Sequence, residues 1–317
     1  MFDPLVIACG LFVGFVVGLT GMGGGALMTP ILILLFKIQP LAAVSSDVVA
    51  AMVMKPIGGA VHWRRGTVNR GLVTWLMIGS IPSSFFGVYL LRRVDAAAAM
   101  QSHIKLALGI ALLSVVAGVL LRPILVSGRA QSRPFELKRV PTLIIGILGG
   151  LVVGLTSVGS GSLIIVMLLL LYPRLQMSEL VGTDLVQAVP LVASAALGHF
   201  LFGDLKLGLT VAIIIGSVPG VFLGARFSSR APDYVIRPAL ATILFLSGLK
   251  LVGASNLLLG VLAPIAIGGG VAYGMWAARR AAVAEKAARP LALRPSSSVP
   301  IALPTLQSGP EPVGFKD

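Results

Sequence analysis

The sequence predicts an all-α polytopic membrane protein built from two homologous repeats plus one extra C-terminal transmembrane helix. Three observations carry that prediction. Hydrophobic residues make up 56% of the 317 residues and charged residues only 11%, against the roughly 25% charged residues of an ordinary soluble domain. Apolar stretches near the ~20 residues needed to cross a bilayer recur along most of the chain. A glycine-rich segment occurs twice: Gly14-Phe15-Val16-Val17-Gly18-Leu19-Thr20-Gly21-Met22-Gly23-Gly24-Gly25 returns as Gly150-Leu151-Val152-Val153-Gly154-Leu155-Thr156-Ser157-Val158-Gly159-Ser160-Gly161.

The first repeat, residues 1–125, opens on an apolar segment at 5–36 that carries the first glycine cluster. One straight helix of that length would measure roughly 48 Å. The apolar core of a bilayer is about 30 Å thick, and a tilt of ~40° lengthens the path only to about 39 Å. The segment is therefore either a broken span with overhang or a re-entrant hairpin of two half-helices. Candidate spans follow at 41–62, 71–91 and 104–125. A basic linker at 126–140 leads to the second repeat, 141–252, with spans at 180–201, 208–227 and 236–252. Past the glycine segments the two repeats align at an offset of 137 residues: Asp47 pairs with Asp184, His62 with His199, Gly66 with Gly203, and Ile78-Gly79-Ser80-Ile81-Pro82 with Ile215-Gly216-Ser217-Val218-Pro219. The last span, 256–278 within a segment 253–280, stands outside the pair. Residues 281–317 read as a disordered cytoplasmic tail, because from about Glu285 they are rich in Pro, Ser and Ala without apolar period.

Charge chooses between the two readings of the glycine segments. If they re-enter, each repeat crosses three times and the repeats are inverted. One side then holds Arg64, Arg65, Arg70, the bases from Arg129 to Arg139, Arg174, Arg226, Arg230, Arg237 and those of the tail. The other holds Lys37, Arg92, Arg93, Lys105 and Lys206. If they span, the same charges split almost evenly. The positive-inside rule therefore favours inverted repeats, with the N-terminus outside, the C-terminus cytoplasmic and the chain integral to the plasma (bacterial inner) membrane.

The same rule accounts for the net charge of +14, which in a soluble protein would point to nucleic acid; no nucleic-acid partner is expected. The lone Cys9 cannot form an internal disulfide, no Cys/His spacing suits a metal, and nothing resembles a phosphate-binding loop. No cofactor is expected, and no nucleophile–base pair has catalytic spacing, so an enzyme is disfavoured.

The glycine breaks are the candidate binding elements. Broken helices at matching positions of two repeats are the best sequence pointer to a transporter's site. A half-helix starting near Gly25 or Gly161 presents N–H groups without intrahelical acceptors and the positive end of its dipole. Consecutive glycines admit close backbone approach and positive φ. Thr20, Gly21, Gly23, Gly24, Gly25, Thr156, Ser157, Gly159, Ser160, Gly161 and Ser162 are thus candidates for holding an oxyanion. The alternative is that these glycines only let helices pack closely.

Lys55, inside a span beside Pro56, would draw an anion inward or else snorkel to the interface. Asp47 and Asp184 read as caps or first-turn carboxylates in preference to proton-coupling groups. His62 and His199 read as bonding the last carbonyls of their helices in preference to relaying protons. Ser80 and Ser217 read as re-satisfying groups freed by Pro82 and Pro219.

The two glycine segments resemble the sulfite exporter TauE/SafE family of membrane permeases. Gly18, Thr20, Gly21, Gly23, Gly24, Gly25 and Pro30 carry the match, with Gly154, Thr156, Gly159 and Gly161 in the second copy, where Ser157 and Ser160 replace glycines. The resemblance spans about residues 5–278 and implies transport of sulfite, sulfonates or related small sulfur-containing anions. An anion channel lined by the same glycines is the other reading.

Overall fold

The computed structural model describes residues 3–20, 24–64, 66–91, 97–126, 136–161, 163–172, 175, 177–227 and 233–292. All regular structure among them is helical. The elements are α1 (Pro4–Thr20), α2 (Gly25–Leu34), α3 (Pro40–Arg64), α4 (Arg70–Leu91), α5 (Ala97–Val126), α6 (Arg139–Thr156), α7 (Leu163–Leu171), α8 (Met177–Phe202), α9 (Leu207–Phe227), α10 (Asp233–Val252) and α11 (Asn256–Ala292). Seven of these are long and apolar enough to cross a membrane: α3, α4, α5, α6, α8, α9 and α11. α6 is among them; in α10 (20 residues) the apolar stretch among the fully described residues is Pro238–Val252.

Local chemistry sets several helix starts. Asp3 opens α1 by accepting the Leu5 N–H on Oδ1 at 2.9 Å, and Asn69 opens α4 by accepting the Leu72 N–H at 3.2 Å; both are side-chain N-caps. The glycine-rich segments fall between α1 and α2 and between α6 and α7. The second interruption uses positive φ at Ser157 (61°), Gly159 (125°) and Gly161 (100°).

Corresponding positions of the sequence repeat carry corresponding helix starts. α3 and α8 begin at 40 and 177, and α4 and α9 at 70 and 207, both pairs separated by the same 137 residues. α3 and α8 run antiparallel, as do α5 and α10. Ser45 of α3 meets His199 of α8 while Gly59 meets Leu185 and Val189. Gly109 of α5 lies between Gly248 and Val252 of α10, and Gly248 packs back on Leu113.

The first helix of each repeat is handed to the other repeat. Gly216, Gly220 and Gly224 of α9 lie in turn against Ile7, Leu11 and Phe15 of α1, so α1 and α9 run parallel with their main chains touching. Gly146, Gly150 and Gly154 of α6 lie in turn against Leu76, Ser80 and Ser84 of α4, the same arrangement. Small residues permit this approach in a lipid solvent, where packing replaces the hydrophobic effect as the force between helices. The glycines ahead of each break, Gly14 in α1 and Gly146, Gly150 and Gly154 in α6, therefore serve packing.

After α6 the chain doubles back. Tyr172, just after α7, accepts the Lys138 N–H on its hydroxyl at 2.9 Å and shares a 2.6 Å hydrogen bond with Thr142 Oγ1, both at the start of α6. Ile164 at the start of α7 packs on Gly149, so α7 runs back along α6. In the first repeat, Thr29 of α2 meets Asp47 of α3 and Gly24 meets Met54, so α2 runs against α3.

The chain divides into two units, residues 1–274 and 275–317. In the first, the part of α11 from Asn256 to Tyr273 has no buried residue, and its outward Leu257, Val261, Ile265 and Val271 suit a lipid-facing helix. In the second, α11 continues to Ala292. Residues 281–292 thus correct the expectation of an irregular tail from 281: the run is alanine-rich, and alanine is the strongest helix former. Residues 293–317, and 127–135 of the basic linker, lie outside the described residues.

Candidate functional site

The two interruptions meet. Gly25, the first residue of α2, packs on the Ser157 main chain so closely that a Cβ there would overlap the Ser157 carbonyl oxygen. Around this contact the helices deliver a buried polar cluster: Thr29, Asp47, Lys55, Ser157, Ser160, Asp184 and Gln187 are all buried.

Asp47 draws on both breaks. Its Oδ2 accepts the Thr29 hydroxyl of α2 at 2.6 Å and the Ser157 hydroxyl of the second break at 2.8 Å. Ser157 can turn toward Asp47 because it adopts the left-handed C-cap conformation (φ 61°, ψ −6°) at the end of α6, where the first repeat has Gly21. Asp184 is held from its own helix, Gln187 Nε2 donating to Oδ1 at 2.9 Å, and it faces the Gly161 amide. The Gln187 Oε1 in turn accepts the Ser80 hydroxyl at 3.2 Å. Each carboxylate keeps one oxygen, Asp47 Oδ1 and Asp184 Oδ2, buried and without a hydrogen-bond partner. Buried polar atoms are nearly always satisfied, so this matched pair of bare oxygens marks a place built for something else. Lys55 donates to Ser160 Oγ of the second break and lies within electrostatic reach of both carboxylates.

Several expectations are corrected here. Asp47 and Asp184 are not caps: α3 and α8 begin at Pro40 and Met177, two turns earlier. The misreading came from Ser45-Ser46 and Gly182-Thr183, which look like helix starts but lie inside helices. Lys55 does not snorkel; its ammonium is buried against the opposite repeat. His199 does not cap its own helix. Nε2 donates to the Gly154 carbonyl of α6 at 2.8 Å and Nδ1 pairs with Ser45 Oγ of α3 at 2.9 Å, so the ring braces three helices. Ser80 turns to Gln187 instead of to the groups freed by Pro82, and the Ser217 hydroxyl has no partner.

Of the remaining candidates, Thr156 is buried and bonds its own turn, the hydroxyl donating to Val152 O at 2.6 Å. Gly24 has φ −58° and caps α2 through its carbonyl, which accepts from Leu27 and Met28. Gly159 and Gly161 use positive φ. Gly21, Gly23 and Ser162 lie outside the described residues, as do the side chains of Thr20 and His62.

Sequence reasoning missed Thr29 and Gln187. Gln187 was findable, since it lies three residues after Asp184 on the same helix face. Thr29 carried no signal, because its contact with Asp47 depends on how α2 folds back. Among the described residues no cluster of three His, Cys, Asp or Glu could hold a metal ion.

Comparison with known proteins places these features in context. The family model for the sulfite exporter TauE/SafE matches residues 6–251. The probable membrane transporter protein YjnA of Bacillus subtilis (strain 168) is 41% identical over 252 residues, covering 78% of this chain and 98% of that protein. The probable membrane transporter protein YdhB of the same organism is 27% identical over 251 residues, covering 78% and 99%. No solved structure matches the chain.

Proposed function

This chain belongs to the sulfite exporter TauE/SafE family, and from that premise we propose that it is a secondary carrier for a small sulfur-containing anion, such as sulfite or an organosulfonate, bound where the two helix breaks meet. The observation that carries the reading is the junction itself: Gly25 on Ser157, with Lys55 bonded to Ser160 across the repeats. Half-helix starts, hydroxyls and one buried ammonium are the donors an oxyanion needs. Thr20, Gly21, Gly23, Gly24, Gly159, Gly161 and Ser162 would complete the lining from either break.

The two repeats sit in the membrane with opposite orientation, and each glycine segment re-enters without crossing. Antiparallel α3 and α8, antiparallel α5 and α10, and the return of Tyr172 to the start of α6 support this arrangement. So does the charge bias, which puts the N-terminus outside and the C-terminus in the cytoplasm. Residues 1–125 and 141–252 are then the two transporting halves, joined by the cytoplasmic linker 126–140.

Flux is tested in proteoliposomes of the full chain with sulfite, sulfate, thiosulfate, taurine and sulfoacetate, with and without a pH gradient. Saturable uptake of at least one sulfur oxyanion is expected. No uptake of any would overturn the reading, and sustained single-channel current would make the protein a channel.

Orientation is tested separately. With Cys9 replaced, Arg133→Cys and Arg280→Cys should both resist impermeant thiol reagents in intact cells and react after permeabilisation. Labelling of Arg133→Cys alone from outside would show repeats that run parallel.

A further inference from the structure

We infer that the anion is carried together with protons, taken up on Asp47 and Asp184 at the junction of the breaks. The inference rests on the anion-carrier reading and deepens it.

The starting observation is one of charge. The buried junction holds two carboxylates and one ammonium, Asp47, Asp184 and Lys55, so with all three ionised it carries one net negative charge. A buried charge is expensive unless paired. A monovalent anion entering this site would leave two negative charges uncompensated. With both carboxyls protonated, the anion and Lys55 form a neutral pair.

The hydrogen bonds say where the protons go. Asp47 Oδ2 already accepts from the Thr29 and Ser157 hydroxyls, and Asp184 Oδ1 accepts from Gln187 Nε2. A proton therefore belongs on the bare oxygen of each, Asp47 Oδ1 and Asp184 Oδ2. Once there it turns an unpartnered acceptor into a donor, and an anion is the acceptor it lacks. The same two oxygens go from repelling the substrate to binding it, with no movement of the helix.

Other charged groups do not replace this arrangement. α3 packs against α2, α5, α8 and α9, and α8 against α3, α4, α6 and α7. Among the described residues of these elements, Lys55 is the charged side chain that acts on the two carboxylates. Arg70, His103, Lys105, Arg139 and Arg226 are exposed, Glu179 opens α8 beside Asn69, and both His199 ring nitrogens are engaged. The cluster is also a poor cation site, since Lys55 already supplies a positive charge there.

The test uses ethanesulfonate, a permanent monoanion that brings no proton of its own, as sulfite would. Full-length protein is reconstituted with a pH indicator in the lumen and the membrane potential clamped. An inward ethanesulfonate gradient should acidify the lumen with about two protons per anion in the parent. The ratio should fall to about one in Asp47→Asn or Asp184→Asn and to about none in the double variant. In detergent, ethanesulfonate should raise the melting temperature of the parent less as pH rises, and of the double variant equally at all pH values. That shift also identifies a folded variant; where a variant fails to fold, the parent ratio decides. Flux without protons in the parent, or an unchanged ratio in folded Asn variants, overturns the coupling alone. If no anion binds or moves at any pH, the carrier reading falls and the coupling with it.

Discussion

Gly25→Ala should reduce anion transport at least tenfold while leaving membrane insertion intact. The added Cβ would overlap the Ser157 carbonyl, which is main chain and cannot rotate away. Overpacking of this kind costs about 1–3 kcal/mol, and 1.4 kcal/mol is roughly tenfold in an equilibrium constant. The strain falls at the junction, because Ser157 is also the residue that hydrogen-bonds Asp47. Separating the breaks thus loosens both the proposed lining and the carboxylate behind it. Gly24→Ala should cost much less. At Gly24 φ is −58°, and a Cβ would meet only the flexible Met54 Cε at 3.3 Å and Val17 Cγ2 at 3.6 Å. Uptake at matched expression checks the pair. Equal activity of Gly25→Ala and the parent would show that contact between the breaks is not needed.

Lys55→Met should weaken anion binding by roughly ten- to a hundredfold, the equivalent of a charge-assisted hydrogen bond of about 1.5–3 kcal/mol. Met keeps the volume and apolar stem but removes the one ammonium that bonds across the breaks. Lys37→Met is the control. Lys37 is exposed between α2 and α3, where water and salt screen its charge. The two variants should separate in a ligand-induced melting shift with sulfite. Identical shifts would make Lys55 a structural residue.

The positions of the breaks were legible because glycine clusters inside apolar runs have few other uses, and the repeat offset fixed which residues correspond. Lys55 was legible as an ionisable group in a span. The partners were not. That Gly25 meets Ser157, or Lys55 meets Ser160, depends on α1 crossing to α9 and α6 to α4, and a single sequence carries no signal for pairing between distant helices. The glycine motif itself hides two roles. Gly14, Gly150 and Gly154 are faces for close helix contact, with Gly14 against Ser217 and Gly150 against Ser80. Gly25, Gly159 and Gly161 belong to the breaks. Both roles demand the absence of a side chain, so composition cannot separate them. The aspartates were misplaced for a related reason. Ser-Ser-Asp and Gly-Thr-Asp look like helix starts, and only the structure shows that the helices had already begun upstream, at Pro40–Val44 and Met177–Val181.

The central claim is that the anion sits between the two breaks. The most direct measurement is a structure of the full chain with 2-bromoethanesulfonate, the bromine located by its anomalous scattering. The account predicts one bound molecule with its sulfonate oxygens within hydrogen-bonding distance of Lys55 Nζ and Ser160 Oγ, beside Gly25. A sulfonate bound elsewhere, with the junction of the breaks unchanged and closed to it, would contradict the account.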